Sequence, residues 1–354
     1  MVANTQDVTF YPNGLVWTQI NSSSSKGPAD DGRIKPDITG NGTGVFSSVS
    51  NQSDSSITNL YSSYSGTSMA APNVAGSLLL LQQYHNQLHG SYMKSATLKG
   101  LVCHTAIDKG NPGPDPIFGW GILNTKEAAE TLLADTTNPH IEALRINQGE
   151  TLSYQFEINN TYEEFAVTIC WTDPPGSGSN TLNSLTPALV NDLDIKITKD
   201  SQEYFPYRLE YNSTDKIWSW AANGDNDVDT VEQIRIANPG LGTYTLTVNH
   251  EGSLSNGGQD FSLIVTGYDT TPSLSTPSLD NTPIIIYPNP IEGQWLYVDG
   301  FMGDVVVSIY NISGKEVKKE TIRNRFDVST LNSGIYLLKL KQGSFETTRK
   351  LIVK

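Results

Sequence analysis

The spacing of apolar residues divides the chain near Asn138 into a front part with helical periodicity and a longer part with strand periodicity. In the front part, apolar residues recur every three or four positions in the segments that predict helices: 68–86, 91–105 and 124–134. Two short apolar runs, around Val2 and Ile38, predict strands. The stretches rich in Ser, Gly and Asn, which predict loops, are 21–25 and 41–65. The predicted helices therefore have no complete sheet to cover.

Beyond Asn138, short segments alternate between apolar and polar residues and are separated by Gly, Pro, Asn and Asp. The alternating segments are 152–158, 165–171, 193–198 and 243–248, followed by a last strand at 259–263. Half-buried antiparallel strands at this spacing predict an all-β jelly roll or sandwich over residues 137–269. The stretch 270–283, rich in Thr, Ser and Pro, predicts an extended linker. Further strand-like runs predict a small β-sandwich over residues 284–354.

Length and charge narrow the classes of function. A chain of 354 residues accommodates two or three domains. The formal charge is −14, and residues 283–354 hold ten Lys and Arg against seven Asp and Glu, a net of +3, which leaves −17 for residues 1–282. The high negative charge of residues 1–282 argues against nucleic-acid binding. No run of about twenty apolar residues exists, so the sequence predicts no transmembrane helix.

A serine is surrounded by small residues where a polar segment gives way to the first predicted helix. Residues 66–72 are Gly-Thr-Ser-Met-Ala-Ala-Pro, and Asn-Val-Ala-Gly follows at 73–76. The first N–H groups of a helix have no partner within it, so they can receive negative charge that develops on a substrate oxygen. Ser68 is therefore a candidate nucleophile. A purely structural interpretation makes it the N-cap of a buried helix.

This motif resembles the serine motif of the subtilisin-like serine proteases, in which Ser68 matches the nucleophile. Residues 32–38 and 118–124 resemble segments that precede and follow that motif in bacterial members. One departure is Asn73, where the commonest version of the motif has His. The resemblance implies that residues 1–136 are the C-terminal part of a doubly wound α/β catalytic domain with a parallel sheet. It further implies hydrolysis of protein or peptide substrates through an acyl-enzyme on Ser68.

The resemblance also implies a catalytic Asp, a His base and an oxyanion Asn that precede the serine in the chain. The histidines, all of which follow the serine, are His85, His89, His104, His140 and His250. Asn4 and Asn13 lack the Gly-Asn context of the family's oxyanion residue. We therefore expect these three groups and the front of the catalytic domain to be missing, which would leave this chain alone inactive. The alternative is a noncatalytic secreted module, either a pseudoprotease or a β-sandwich binding protein.

Two further resemblances cover the β-rich part. Residues 167–174, 188–194 and 242–248 resemble the β-domain that follows the catalytic domain in certain bacterial alkaline subtilases. Residues 284–354 resemble the C-terminal sorting domain of the type IX secretion system, with a predicted hairpin turn at Ser313 and Gly314. This implies contact with that secretion machinery and export across the outer membrane of a Bacteroidetes-type bacterium. A plain terminal β-module is the structural alternative.

Two groups of carboxylates in the β-rich part are candidate Ca²⁺ ligands. They are Asp192 and Asp194, and Asp225, Asp227 and Asp229. The first two are two apart on a predicted strand and so project from one face. The other three have the spacing of the first ligands of an EF-hand, but the glycine and glutamate that such a loop requires later are absent. The sequence therefore predicts a structural Ca²⁺ site or, for residues 225–229, an ordinary acidic turn.

Overall fold

The computed structural model folds into two compact units, Met1–Leu274 and Ser275–Lys354. The residues that it describes are 1–6, 9–10, 16–50, 60–138, 141–215, 217–269, 273–274, 285–291, 293–299, 304–311, 314–342 and 345–354. Each unit has its own hydrophobic core, and the motif around Ser68 lies in the first.

The front of the first unit holds a pair of parallel strands and two hairpins. Its strands are β1 (Val2–Thr5), β2 (Thr9–Phe10), β3 (Val16–Trp17), β4 (Ile38–Asn41), β5 (Val45–Ser48) and β6 (Tyr61–Tyr64). β1 and β4 pair in parallel with Val2 opposite Ile38, which confirms the two predicted strands. β2 pairs with β3, and β5 with β6, in antiparallel orientation.

The β5–β6 hairpin corrects part of the prediction of loops over residues 41–65, of which 51–59 lie outside the described residues. Most of its side chains are exposed, among them Phe46 and Tyr61, whose stacked rings have centroids 5.7 Å apart. A hairpin without a buried face needs no alternation of apolar and polar residues, because main-chain hydrogen bonds join its strands. Its sequence therefore looks like that of a loop.

Three helices follow, at the positions that the apolar spacing predicts. They are α1 (Thr67–His89), α2 (Ser95–His104) and α3 (Thr125–Asp135). α1 ends at Gly90, whose φ of 71° is left-handed and whose N–H donates to the carbonyl oxygen of Asn86. The inner face of α1 packs on β1 and β4 through Val74, which shares a small core with Ile38 and Ala106. In the described part of the chain, no helix combines the length and apolar character that crossing a bilayer requires.

The rest of the first unit is built from antiparallel strands. They are β7 (Ile141–Asn147), β8 (Leu152–Ile158), β9 (Glu164–Trp171), β10 (Asp192–Lys199), β11 (Gln202–Tyr204), β12 (Tyr207–Asn212), β13 (Ile217–Asn223), β14 (Val231–Ala237), β15 (Gly242–Glu251), β16 (Gly258–Thr266) and β17 (Ser273–Leu274). Two sheets, ordered β11-β10-β15-β8-β17 and β14-β9-β16-β7, enclose one core that includes Phe156, Trp171 and Leu246. The predicted β-rich fold is confirmed at this level, and the jelly-roll arrangement stays a prediction.

Of the predicted linker 270–283, the structure describes only Ser273 and Leu274. These two residues form β17, which pairs with Gln155 and Tyr154 of β8. Such pairing uses main-chain groups, so a sequence rich in Thr, Ser and Pro gives little sign of it. The other residues of the linker lie outside the described residues.

The helical front and the β-sandwich meet along α2. The ring of His104 is buried there, 2.8 Å from the Thr168 hydroxyl and 2.9 Å from the Thr266 hydroxyl. Gly100 fits against the sheet because a Cβ at this position would lie 2.8 Å from Ile264 Cδ1. Near this contact, Cys103 on α2 and Cys170 on β9 are buried free thiols.

The second unit is a smaller β structure with its own core. Its strands are β18 (Ile285–Tyr287), β19 (Trp295–Asp299), β20 (Val305–Asn311), β21 (Glu316–Ile322), β22 (Arg325–Asp327), β23 (Gly334–Gln342) and β24 (Phe345–Val353). They form the sheets β18-β19-β22 and β21-β20-β23-β24 around Leu296, Phe326 and Leu338. In the predicted turn, Gly314 has a φ of 80° and donates its N–H to the Asn311 carbonyl oxygen. Ser313 lies outside the described residues.

Candidate functional site

Ser68 is the second residue of α1 and is exposed. Just before the helix, the Gly66 carbonyl oxygen accepts hydrogen bonds from the N–H groups of Met69 at 2.9 Å and Ala70 at 3.2 Å. The hydroxyl is accessible from outside, and the helix dipole favours negative charge beside it. This arrangement suits a nucleophile, which also requires a base to accept its proton.

The loop after β4 contacts the start of α1 closely. The Gly66 N–H donates to the Gly42 carbonyl oxygen at 2.8 Å. A Cβ at position 42 would lie 2.6 Å from the Gly66 oxygen and 2.7 Å from the Ala70 nitrogen, closer than real Cβ atoms approach backbone. Further along α1, a Cβ at Gly40 would lie 2.6 Å from Val74 Cγ2. These two glycines therefore let the strand and its loop pack on the helix that carries Ser68, a role that the sequence reasoning missed.

The outer face of α1 is apolar and exposed. Leu79 is 70% exposed and Leu80 is 62% exposed. The smaller exposed residues on this face are Ala71, Pro72, Ala75 and Gly76. The inner face instead buries Val74 and Leu81. An apolar stripe of this length is typical of a helix that another element covers.

The histidines near the end of α1 are remote from Ser68. His85 and His89 follow it by 17 and 21 positions in the same helix, which corresponds to about 26 and 32 Å along the axis. Their rings contact each other, with centroids 4.5 Å apart, and His89 Nε2 lies 3.8 Å from Asp135 Oδ2. Neither imidazole can therefore deprotonate the Ser68 hydroxyl.

The other described histidines, and Asn4, have partners that give them structural roles. His104 lies between two threonine hydroxyls of the sandwich, as described above, and His250 Nε2 accepts the Gly149 N–H at 2.7 Å. Asn4 is buried on β1, where its Oδ1 accepts a hydrogen bond from the Thr43 hydroxyl at 3.2 Å. Outside the described residues lie His140 and Asn13.

A largely buried carboxylate just before β4 joins the front to α2. Asp37 Oδ1 lies 2.6 Å from Lys35 Nζ and 3.3 Å from Lys99 Nζ, and the α-ammonium of Met1 contacts Oδ2. Burial alone would raise the pKa of Asp37. The ammonium groups of Lys99 and Lys35 more than offset that effect and hold the pKa well below its usual range.

Replacement of Asp37 by Asn is expected to lower the free energy of unfolding by about 1–2 kcal/mol at pH 7, because Lys99 loses its charged partner. A depressed pKa stabilises the fold above the unfolded-state pKa of about 4, and this contribution is lost as the pH falls further. The difference between wild type and Asp37→Asn in urea unfolding should therefore shrink from pH 7 to pH 3. Asp200→Asn, at a side chain that is 90% exposed, is the control. An equal difference at both pH values would contradict the assignment.

Three carboxylates come together where β10 faces β14. Asp192 and Asp194 on β10 are partly buried, and Glu232 on β14 is fully buried. Glu232 Oε2 accepts the Ile195 N–H at 2.7 Å. Burial, followed by neighbouring carboxylates, raises the pKa of Asp192 to about 7 and that of Asp194 to about 8, and burial raises the pKa of Glu232 well above its usual value. Sequence reasoning found the two aspartates and missed Glu232.

The other candidate ligands lie on the loop between β13 and β14. Asp225 and Asp227 are exposed, and Asp225 is one of the carboxylates whose proximity raises the pKa of Asp194. Asp229 is buried and accepts the N–H of Ile34 at 3.0 Å, so it joins the sandwich to the segment before β4. Across the described residues, no three side chains of His, Cys, Asp or Glu are already arranged as a metal centre.

Two protein families match separate parts of the chain. The Subtilase family matches residues 16–121, which include Ser68, the Gly42 loop and all of α1. Residues 285–354 match the secretion system C-terminal sorting domain. The type IX sorting domain indicates export across the outer membrane in Bacteroidetes. The resemblances of the serine motif and of residues 284–354 are therefore confirmed, whereas that of the β-domain stays a prediction.

Relatives of the subtilase segment include larger proteins. C5a peptidase of Streptococcus pyogenes serotype M6 is 48% identical over 160 residues, which is 43% of this chain and 12% of that protein. Serine protease/ABC transporter B family protein tagA of Dictyostelium discoideum is 27% identical over 217 residues, 53% of this chain and 12% of its own length. Among solved structures, fervidolysin from Fervidobacterium pennivorans, a keratinolytic enzyme related to subtilisin, is 16% identical with a TM-score of 0.28, covering 96% of this chain and 44% of its own. The chain thus spans 12% of the length of these two curated relatives.

Proposed function

We propose that the parent protein is an exported subtilase, a serine endopeptidase that hydrolyses peptide bonds through an acyl-enzyme on Ser68. The observation that carries this proposal is the exposed serine at the start of α1, within a segment that matches the Subtilase family. The substrates are proteins or peptides, as the family implies. Residues 285–354 would engage the type IX secretion machinery during export.

The chemistry follows from the position of the hydroxyl. Ser68 Oγ attacks the carbonyl carbon of the substrate while a His base takes its proton, and the tetrahedral oxyanion is stabilised by the Ser68 N–H and an Asn side chain. The amine leaves with the proton from that His, and water then hydrolyses the ester through the same base. The His, its orienting Asp and the Asn would come from a segment that precedes residue 1 in the parent.

The apolar outer face of α1 supports a catalytic site that is divided between this chain and a preceding segment. Leu79 and Leu80 would be covered by the part of the catalytic domain that carries those three groups. In the chain alone the exposed face remains, and the described imidazoles have positions or partners away from the serine. The noncatalytic alternative, a pseudoprotease or binding module, is favoured by this lack of a nearby base among the described residues.

The reading frame upstream of Met1 separates the two functions. We expect it to continue in frame through an Asp-Thr-Gly-like segment, a His-Gly-Thr segment and a Gly-Asn segment. The extended protein should then cleave a denatured protein substrate, and the same protein with Ser68→Ala should not. A stop codon directly before Met1, with none of the three segments upstream, would establish the noncatalytic alternative.

A further inference from the structure

We propose that the first unit binds Ca²⁺ between β10, β14 and the β13–β14 loop, with Asp192, Asp194, Glu232 and Asp225 as the carboxylate ligands. This inference is independent of the chemistry at Ser68. Of the five aspartates that the sequence suggests as ligands, the site retains Asp192, Asp194 and Asp225, and Glu232 is an additional ligand.

Glu232 is the main structural support for the site. Its side chain is fully buried, and one of its two oxygens accepts the Ile195 N–H. The other oxygen, Oε1, is buried and has no hydrogen-bond partner among the described residues. A buried carboxylate is costly unless a partner or a metal ion compensates its charge. Glu232 is therefore a buried acceptor that lacks part of its coordination.

The aspartates of β10 also have buried oxygens that lack hydrogen-bond partners within the described ranges of the chain. Both carboxylate oxygens of Asp194 and one of Asp192 are buried without a hydrogen-bond partner in the described structure. Across the sheet, Glu251 of β15 is the register partner of Asp192 and adds further negative charge. Asp225 approaches Asp194 from the loop, a contact that two ionised carboxylates cannot make favourably on their own. A cation among them would satisfy all of these oxygens.

The donor set selects the kind of cation. Carboxylate oxygens are hard ligands, and the two cysteines are buried thiols outside this cluster. Ca²⁺ accepts six to eight oxygen ligands in flexible geometry and completes its shell with carbonyl groups and water. Mg²⁺ requires a stricter octahedron and retains several waters. An irregular cluster on a strand and a loop therefore suits Ca²⁺ better.

The carboxylates are not yet arranged as a finished centre, because no three such side chains in the described residues have the geometry of a metal site. Asp225 is exposed and lies on a loop, so a change of rotamer can adjust its carboxylate to a shared ion. Asp229 belongs to a different contact, since its carboxylate accepts the Ile34 N–H. We therefore leave Asp229 out of the ligand set.

The test is thermal unfolding of the whole chain, with and without Ca²⁺, combined with isothermal titration with CaCl₂. We expect a dissociation constant of about 10⁻⁴ M and a rise in midpoint of about 5 °C at saturation that EGTA reverses. Glu232→Gln and Asp194→Asn should each weaken binding at least about tenfold. Asp200→Asn, on the exposed turn after β10, should bind like wild type. MgCl₂ at equal ionic strength controls for screening of the acidic surface.

A midpoint that is the same in Ca²⁺ and in EGTA, with no heat of binding, would show an ordinary acidic cluster and overturn the proposal. The proposal would also be overturned if MgCl₂ raised the midpoint as much as CaCl₂ does and if Glu232→Gln and Asp194→Asn showed the same rise as wild type. If Glu232→Gln fails to fold, Asp194→Asn decides the outcome by itself, because its side chain is only partly buried.

Discussion

A fluorophosphonate probe is expected to label Ser68 in this chain at least about 10⁴-fold more slowly than it labels an intact subtilisin-like protease. A serine hydroxyl is a weak nucleophile until a base takes its proton. Members of a catalytic triad act as a unit, and in subtilisin itself the loss of the His costs about as much as the loss of the whole triad. The described histidines cannot serve, because His85 and His89 lie about 26 and 32 Å away along α1, and His104 and His250 have partners elsewhere.

Labelling rates are measured by mass spectrometry of the peptide that contains Ser68, at equal probe concentration for this chain and an intact subtilase. Ser68→Ala sets the background, and Ser77→Ala, on the same helix, is the matched control. Labelling at the rate of the intact enzyme would mean that a base from this chain reaches the serine. The division of the active site between this chain and a preceding segment would then be wrong.

Gly42→Ala is expected to lower the free energy of unfolding of the first unit by about 3 kcal/mol. The added methyl group would meet two backbone atoms, the Gly66 oxygen and the Ala70 nitrogen, at less than 3 Å. Backbone cannot move aside as a flexible side chain can, so the start of α1 must shift. In the extended protein, the same change should reduce kcat because it displaces Ser68.

Gly76→Ala is the matched control for Gly42→Ala. A Cβ at position 76 has no atom within 4 Å, and the residue lies inside α1. Alanine is the better helix former, so this variant should be more stable by about 0.5–1 kcal/mol. Urea unfolding of both variants measures the difference. If Gly42→Ala is as stable as wild type, the loop does not hold the helix in the manner described.

The sequence predicted those elements whose periodicity reflects burial. The three helices and the alternating strands, such as 152–158, present a repeating apolar face to a core, and that repetition is visible in the sequence. The β5–β6 hairpin and β17 have no such face, because main-chain hydrogen bonds form them. They were therefore predicted as loops or as linker.

The candidate sites divide in the same way. Ser68 was found because its neighbours form a continuous motif, whereas the residue that packs on the start of its helix, Gly42, lies 26 positions earlier in the chain. Glu232 was missed because one acidic residue between Val231 and Ile234 resembles the outer position of a half-exposed strand. Only the fold shows that this position faces Asp194.

The docking of α2 has a consequence for engineering. Because His104 and Gly100 fit the surfaces of β9 and β16, the helical front of the first unit has no solvent-adapted surface on that side. In a chimera that joins residues 1–135 to a foreign module, the side chain of His104 and the surface at Gly100 would become exposed to water. Swaps of accessory modules in this protein should therefore keep residues 1–274 together and cut after Leu274.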